Sequence, residues 1–276
     1  MAYATIHLGL VSADHHASHA AADYAIALSE AEEAHLSVSI AAPLVEIPAG
    51  RILPLIRAAM DEADAERLAK AKAECHRIEA AARLAGVAVD CRVLQGEIAA
   101  ARGAFVKAAR ISDIVILPRP AAMLTAEQGI IEAALFGAGR PVIVVPAEWP
   151  RGPVFERITV AWDGGQRAAR AVGDAMPLLA RATEVEIVCI GADARKSAAG
   201  ADLAGHLARR CRGLKLTELQ IEFGDAGITL RDHLATVTPD LLVMGAYAHP
   251  RLLQLVLGGV TSTMLGDARL PVLYSH

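Results

Sequence analysis

Short apolar runs alternate with longer stretches in which apolar residues recur every three to four positions. Ile6-His7-Leu8-Gly9-Leu10-Val11 reads as a strand, and residues 17–32 as an alanine-rich amphipathic helix. A second strand follows at 36–41. The same order returns later: Ile158-Thr159-Val160-Ala161-Trp162 is a strand, 168–180 a helix and 184–190 a strand. Strands alternating with helical patterns predict an α/β fold with a parallel sheet.

The repetition extends further. Gly96-Glu97-Ile98 is answered by Gly224-Asp225-Ala226, and Asp113-Ile114-Val115-Ile116-Leu117 by Asp240-Leu241-Leu242-Val243-Met244. Arg140-Pro141-Val142-Ile143-Val144-Val145 is answered by Leu270-Pro271-Val272-Leu273-Tyr274. A pattern that occurs twice predicts two copies of one unit. The late spacings agree: Asp113 to Pro141 is 28 positions and Asp240 to Pro271 is 31. The early ones do not, since Ile6 to Gly96 is 90 positions and Ile158 to Gly224 only 66. The first half therefore carries an extra segment near 43–65, which Pro43, Pro48, Gly50 and Pro54 should break into loop and short helix. Insertions of this kind sit on the surface, often near a site mouth. Glu148-Trp149-Pro150-Arg151-Gly152-Pro153 suits a linker, which predicts domains over 1–147 and 153–276.

Composition narrows the function. The chain has 276 residues, 54% of them hydrophobic and only 4% aromatic, and a formal net charge of −4. The absence of any basic block argues against nucleic acid as a partner. No uncharged apolar run approaches the roughly 18 residues of a membrane span, and the N-terminus lacks the pattern of a signal peptide. A cytoplasmic protein without membrane partners is expected. Cys75, Cys91, Cys189 and Cys211 are scattered with no CxxC; they read as small buried or half-buried residues in a reducing compartment, not as a zinc or redox site.

The chemistry-bearing stretch lies near the end. Met244-Gly245-Ala246-Tyr247-Ala248-His249 closes a strand in a glycine turn, and Gly258-Gly259-Val260-Thr261-Ser262 opens a short helix. Helix-opening N–H groups beside a glycine turn can hold a phosphate. In an open α/β sheet a ligand sits beyond the carboxyl ends of the strands where the strand order reverses. Asp163, just past one strand, and Gly245, just past another, would flank that point. Asp163 could accept ribose hydroxyls or hold hydrated Mg²⁺, and Arg251 in the intervening loop could reach a phosphate.

These residues resemble the universal stress protein family in its tandem form, two such domains fused head to tail. Val160-Ala161-Trp162-Asp163-Gly164-Gly165 looks like the family's first strand and aspartate turn. Gly245 to Thr261 looks like its phosphate signature: glycine, two residues, glycine, nine residues, glycine, then serine or threonine. The resemblance implies two five-stranded parallel sheets in the order 3-2-1-4-5, with helices on both faces. It implies a pseudo-dimer paired through the last strands, Val142–Val145 and 272–274. It also implies ATP or a related adenine nucleotide, with the backbone near Ala161, Trp162 and Ile190 bordering the adenine and Met244, Gly245, Ala248, Gly258, Gly259, Val260 and Thr261 around the phosphates.

Two departures weaken that motif. Ala248 stands at the second glycine, and a methyl in a left-handed backbone costs about 1–2 kcal/mol. Gly259 stands where the signature has a hydroxyl, and one charge-assisted bond is worth roughly 1.5–3 kcal/mol. Together they predict binding weakened about 100-fold, with Thr261, Ser262 and Thr263 as alternative hydroxyls.

The first half reads as scaffold. Pro118 replaces the glycine, giving Leu117-Pro118-Arg119-Pro120, and removes an N–H donor. Phe136-Gly137-Ala138-Gly139 is the nearest match to the second glycine pair, and Ser12-Ala13-Asp14 only mimics the aspartate turn. His15, His16 and His19, with His7 and His35 nearby, lack the cysteine or carboxylate that would complete a metal set, and a solvated helix start is the simpler account. Neither a P-loop nor a strand-linked GxGxxG is present, and no nucleophile elbow or HExxH. A sensor or regulator of stress responses is expected rather than a dedicated enzyme. The alternatives are a nucleotide-free scaffold that docks a protein partner or a second copy, and a slow ATP hydrolase using Asp163 and Mg²⁺.

Overall fold

The computed structural model describes residues 3–11, 15–44, 54–120, 126–191, 194–246 and 259–276, with backbone only at 15–17, 54, 55, 126, 127 and 194–196. The first half runs β1 (Thr5–Val11), α1 (His15–Glu32), β2 (His35–Pro43), α2 (Pro54–Leu84), β3 (Val89–Gly96), α3 (Ile98–Ala109), β4 (Ile114–Pro118), α4 (Ala126–Gly137) and β5 (Val142–Val145). The second runs β6 (Arg157–Ala161), α5 (Gln166–Leu179), β7 (Glu184–Ile190), α6 (Ala194–Leu207), β8 (Leu214–Leu219), α7 (Ala226–Val237), β9 (Leu241–Gly245), α8 (Gly259–Asp267) and β10 (Val272–Ser275).

All ten strands lie in one sheet, ordered β3-β2-β1-β4-β5-β10-β9-β6-β7-β8. Each half has the order 3-2-1-4-5, and the halves meet where β10 runs antiparallel to β5, with Leu273 opposite Ile143. The other pairings are parallel. Parallel strands covered on both faces read as unbroken apolar runs. Ile114–Pro118 is buried throughout, as is Val142–Val145.

Two core layers follow from the alternation along the strands. Ile6, Leu8 and Val160 face α1, α2, α5 and α6 through Ala25, Ile78, Leu178 and Leu207. Val115, Val144 and Leu242 face α3, α4, α7 and α8 through Phe105, Ile131, Leu230 and Met264. The repeated aspartates have the same task in both halves. Asp113 accepts the N–H groups of Ala4 (2.7 Å) and Thr5 (3.0 Å), and Asp240 those of Glu156 (3.1 Å) and Arg157 (2.8 Å). Each ties the entry of its fourth strand to the entry of its first.

Two expectations need correction. The chain from Pro54 to Leu84 is one helix of 31 residues, not a loop with a separate short helix. Pro54 stands at its first position, where the missing N–H costs no helical bond; residues 45–53 of the insertion lie outside the described residues. Cys75 and Cys91 form a disulfide between α2 and β3. Packing of α2 on β3 brings their Cα atoms to 5.9 Å, inside the bridging range. Cys189 and Cys211 form no disulfide among the described residues and are buried, as expected.

The halves differ in how they bury polarity. His7 on β1 is fully buried, its ring 5.2 Å from that of Phe105, and neither ring nitrogen has a hydrogen-bond partner among the described residues. Counting along each helix, Ile98 to Phe105 matches Ala226 to His233. In the second half Thr159 takes the His7 position, and the charge lies one strand over, on Glu186. Glu186 accepts from Thr217 (2.6 Å) and pairs with His233 (3.0 Å) and Lys215 (3.1 Å). Burial raises its pKa, but these bonds outweigh that and hold it below the usual carboxylate value.

Burial pushes the pKa of His7 down to about 4; Asp90 opposes this and Arg92 adds to it. The unfolded chain, with an ordinary histidine near pH 6.5, then binds the proton first as pH falls. The contribution is complete above about pH 6.5 and is lost on descent to about pH 4, a total of about 3 kcal/mol. Urea midpoints at pH 7.5 and 4.5 should show His7→Leu losing clearly less stability than the parent; equal losses would remove His7 as the cause.

Candidate functional site

β6 pairs with both β7 and β9, so the strand order reverses beside its carboxyl end. Val160 lies opposite Val243, which places Ala161 and Trp162 next to Met244 and Gly245. Ala161 and Ile190 are half-buried and pack against the α7–α8 layer, at the end of the sheet where a ligand would sit. The Trp162 ring turns the other way: its indole donates to the Ala199 carbonyl on α6 at 3.1 Å. Trp162 therefore anchors α6, and only its backbone faces the strand ends.

Asp163 is exposed, and its Oδ1 accepts the Gly165 N–H at 2.8 Å. The carboxylate shapes the turn into α5, with Gly165 as the N-cap residue. Gly245 has a packing role of its own. A Cβ there would lie 2.7 Å from the Ala168 nitrogen, 2.7 Å from the Arg167 carbonyl carbon and 2.8 Å from the Arg167 Cβ. The first turn of α5 rests directly on the end of β9, and glycine is the residue that permits this contact.

The second helix start is α8, which begins at Gly259. Gly259 is exposed, and among the described residues a Cβ added to it meets nothing nearer than Asp225 Oδ1 at 3.9 Å. Val260 is half-buried and packs on the core. Thr261 is buried at 6% exposure and already engaged, and the Thr263 hydroxyl donates to the Gly259 carbonyl at 2.7 Å. Of the alternative hydroxyls, then, Thr263 serves the helix itself and Thr261 is already engaged. Ala248, Arg251 and Gly258, with His249, lie outside the described residues.

Two groups here escaped the sequence reading. Asp225 caps α7, accepting Gly227 N–H at 2.6 Å and Ile228 N–H at 3.2 Å, and this fixes a carboxylate beside Gly259. The Gly224-Asp225-Ala226 match marks it as a repeat position, but its nearness to Gly259 is tertiary. Arg167, the second residue of α5, sits against Gly245 and is close enough to His276 to lower that residue's pKa, after burial. No cluster of three or more metal-ligating side chains occurs among the described residues. No helix among them is long and apolar enough to cross a membrane. Of the corresponding groups in the first half, Asp14 is outside the described residues. Pro118 ends β4 and Arg119 follows it, its Nη1 donating to the Gly266 carbonyl at the end of α8 at 2.7 Å.

The model of the Universal stress protein family matches residues 155–276. Among solved structures, a universal stress protein from Archaeoglobus fulgidus DSM 4304 matches at 16% identity and a TM-score of 0.72, covering 100% of this chain and 96% of its own. A protein of unknown function from Pseudomonas aeruginosa PAO1 matches at 14% identity and a TM-score of 0.56, covering 99% of this chain and 92% of its own. At such identities these likenesses show a shared fold across both halves. No curated protein matches the chain. Residues 155–276 thus match the universal stress protein family, and the whole chain shares its two-unit fold with these solved structures.

Because the atoms that a Gly245 methyl would strike are mostly backbone of α5, Gly245→Ala should destabilise the protein by about 1–3 kcal/mol. Urea unfolding in the absence of nucleotide measures this. An unchanged midpoint would mean that the glycine has no packing role.

Proposed function

We propose that the second half binds ATP or a related adenine nucleotide and that the protein serves as a sensor or regulator in a stress response. The observation that supports this best is the meeting of β6 and β9 between the starts of α5 and α8, inside the segment matched by the family model. Ala161 and Ile190 would border the base, and Asp163 would take ribose hydroxyls or a Mg²⁺ ion. The helix-opening N–H groups of Gly259, Val260 and Thr261 would meet the phosphates, with Gly245, Ala248, Arg251 and Gly258 completing the cradle. Met244 supports it from the core at 5% exposure.

One observation favours a second reading, a nucleotide-free interaction module. The pinned Asp225 carboxylate stands beside Gly259, and at an effective dielectric near 20 two unit charges about 4 Å apart repel by about 4 kcal/mol. A phosphate there needs a counter-charge, from Mg²⁺ or from a basic residue of the loop.

The test is direct. Protein purified without added nucleotide is denatured and its supernatant assayed for adenine nucleotide; the stripped chain is then titrated with ATP and Mg²⁺ by calorimetry. Saturable binding at millimolar ATP or tighter is expected, and neither co-purified nucleotide nor saturable binding would sink the reading. A serine fits at Gly259 without strain, so Ala248→Gly combined with Gly259→Ser should tighten binding by about tenfold or more. Phosphate release compared between the parent and Asp163→Ala distinguishes hydrolysis from binding alone.

A further inference from the structure

At the opposite end of the second half's strands lies a groove of 1110 Å³. Its walls are the linker at Glu148, Trp149 and Arg151, the C-terminal ends of α7 and α8, and Arg119 just past β4. Both halves and the segment joining them contribute. It shares no residue with the strand-end site around Asp163 and Gly259, and nothing in its argument depends on nucleotide binding there.

Four arginines from separate segments line it: Arg119, Arg151, Arg231 and Arg269. The Arg119 side chain is the deepest of the four at 20% exposure, with Arg151 at 39%, Arg231 at 41% and Arg269 exposed; the lining acids Glu148, Asp267 and Asp232 are 75%, 60% and 47% exposed.

Two of the guanidinium groups are fixed in place. Arg119 donates to the Gly266 carbonyl at 2.7 Å and to Glu148 at 3.1 Å. Arg151 pairs with the buried Asp240 at 2.6 Å and lies 4.5 Å from the centre of the Trp149 ring. A guanidinium has five N–H donors, so these bonds leave others for a ligand. The other two can move. Arg231 makes only exposed pairs with Asp232 and Asp267, the kind that exchange cheaply, and Arg269 makes no ion pair among the described residues. Between them the lining is apolar: Leu234, Met264, Leu270 and the edge of Trp149.

We propose that this groove is a binding site for an organic anion, a molecule with a carboxylate or phosphate group on an apolar body. The guanidinium groups suit the planar, bidentate recognition of such a head group. The apolar lining suits the body, and the volume is slightly above the ordinary range of small-molecule sites, leaving room for a drug-sized anion. Because the walls come from both halves, the bound anion would join them on this side of the sheet.

Calorimetric titration of the full chain with four probes tests the proposal: 1-naphthyl phosphate, 1-naphthoate, 1-naphthol and inorganic phosphate. At least one naphthyl anion should bind saturably, and which one binds tighter identifies the head group. Naphthol and free phosphate, each lacking one half of the chemistry, should bind at least about tenfold more weakly. Arg231→Ala with Arg269→Ala should weaken the anion by about tenfold with the thermal midpoint unchanged, since Arg269 is exposed and the 41%-exposed Arg231 makes surface ion pairs. Arg269→Ala alone serves if the pair fails to fold. Saturating ATP should leave the binding in place. Absence of saturable binding by both anions, equal binding of naphthol, indifference to the arginine substitutions, or displacement by ATP would each overturn it.

Discussion

Everything in this molecule depends on one short antiparallel seam. Val142, Ile143 and Val144 on β5 face Tyr274, Leu273 and Val272 on β10, and through them two five-stranded sheets become one of ten strands. The seam residues are among the most buried of the chain, with Ile143, Leu273 and Tyr274 at 0% exposure. Neither half alone could leave such a strand uncovered without exposing an apolar edge. The Glu148–Pro153 linker makes the pairing intramolecular, so it does not depend on protein concentration. Glu32 on α1 and Arg181 just after α5 then join across the seam on one face.

A fixed seam permits the halves to differ elsewhere. In the first, Pro118 ends the fourth strand, and Arg119 after it donates to the Gly266 carbonyl at the end of α8 in the other half. In the second, Gly245 at the same place admits the first turn of α5. The same asymmetry reaches the core. On one side a buried histidine has no hydrogen-bond partner among the described residues, while on the other a glutamate is satisfied by threonine, histidine and lysine. An unsatisfied buried group has a cost, and a satisfied network avoids it.

The central strands were legible in the sequence because both their faces are buried, which leaves continuous runs such as Ile114–Leu117 and Leu241–Met244. The edge strands β3 and β8 were not, since their residues are mostly half-exposed or exposed and carry Asp90, Arg92, Lys215 and Glu218 among the apolar ones. Pro48 and Pro54 suggested a broken segment, yet a proline at a first helical position is compatible with a long helix, and α2 begins there. The Cys75–Cys91 bond depends on how α2 folds back onto β3, which spacing alone does not encode. At the strand ends the glycines and Asp163 stand out as letters, whereas the nearness of Asp225 to Gly259 and of Arg167 to Gly245 exists only once four elements are assembled.

The disulfide on β3 has a further consequence. A sheet that has already grown from five strands to ten by adding an edge to an edge has two more edges, and an unpaired strand is a template for another chain. At one edge, β3 is bonded to α2 through Cys91, with Arg92 and the His35–Asp90 pair alongside. At the other, β8 carries Lys215 and Glu218, which a docking strand would have to strip of water. Both outer edges thus carry charged residues, the feature by which sheets discourage the addition of a further strand.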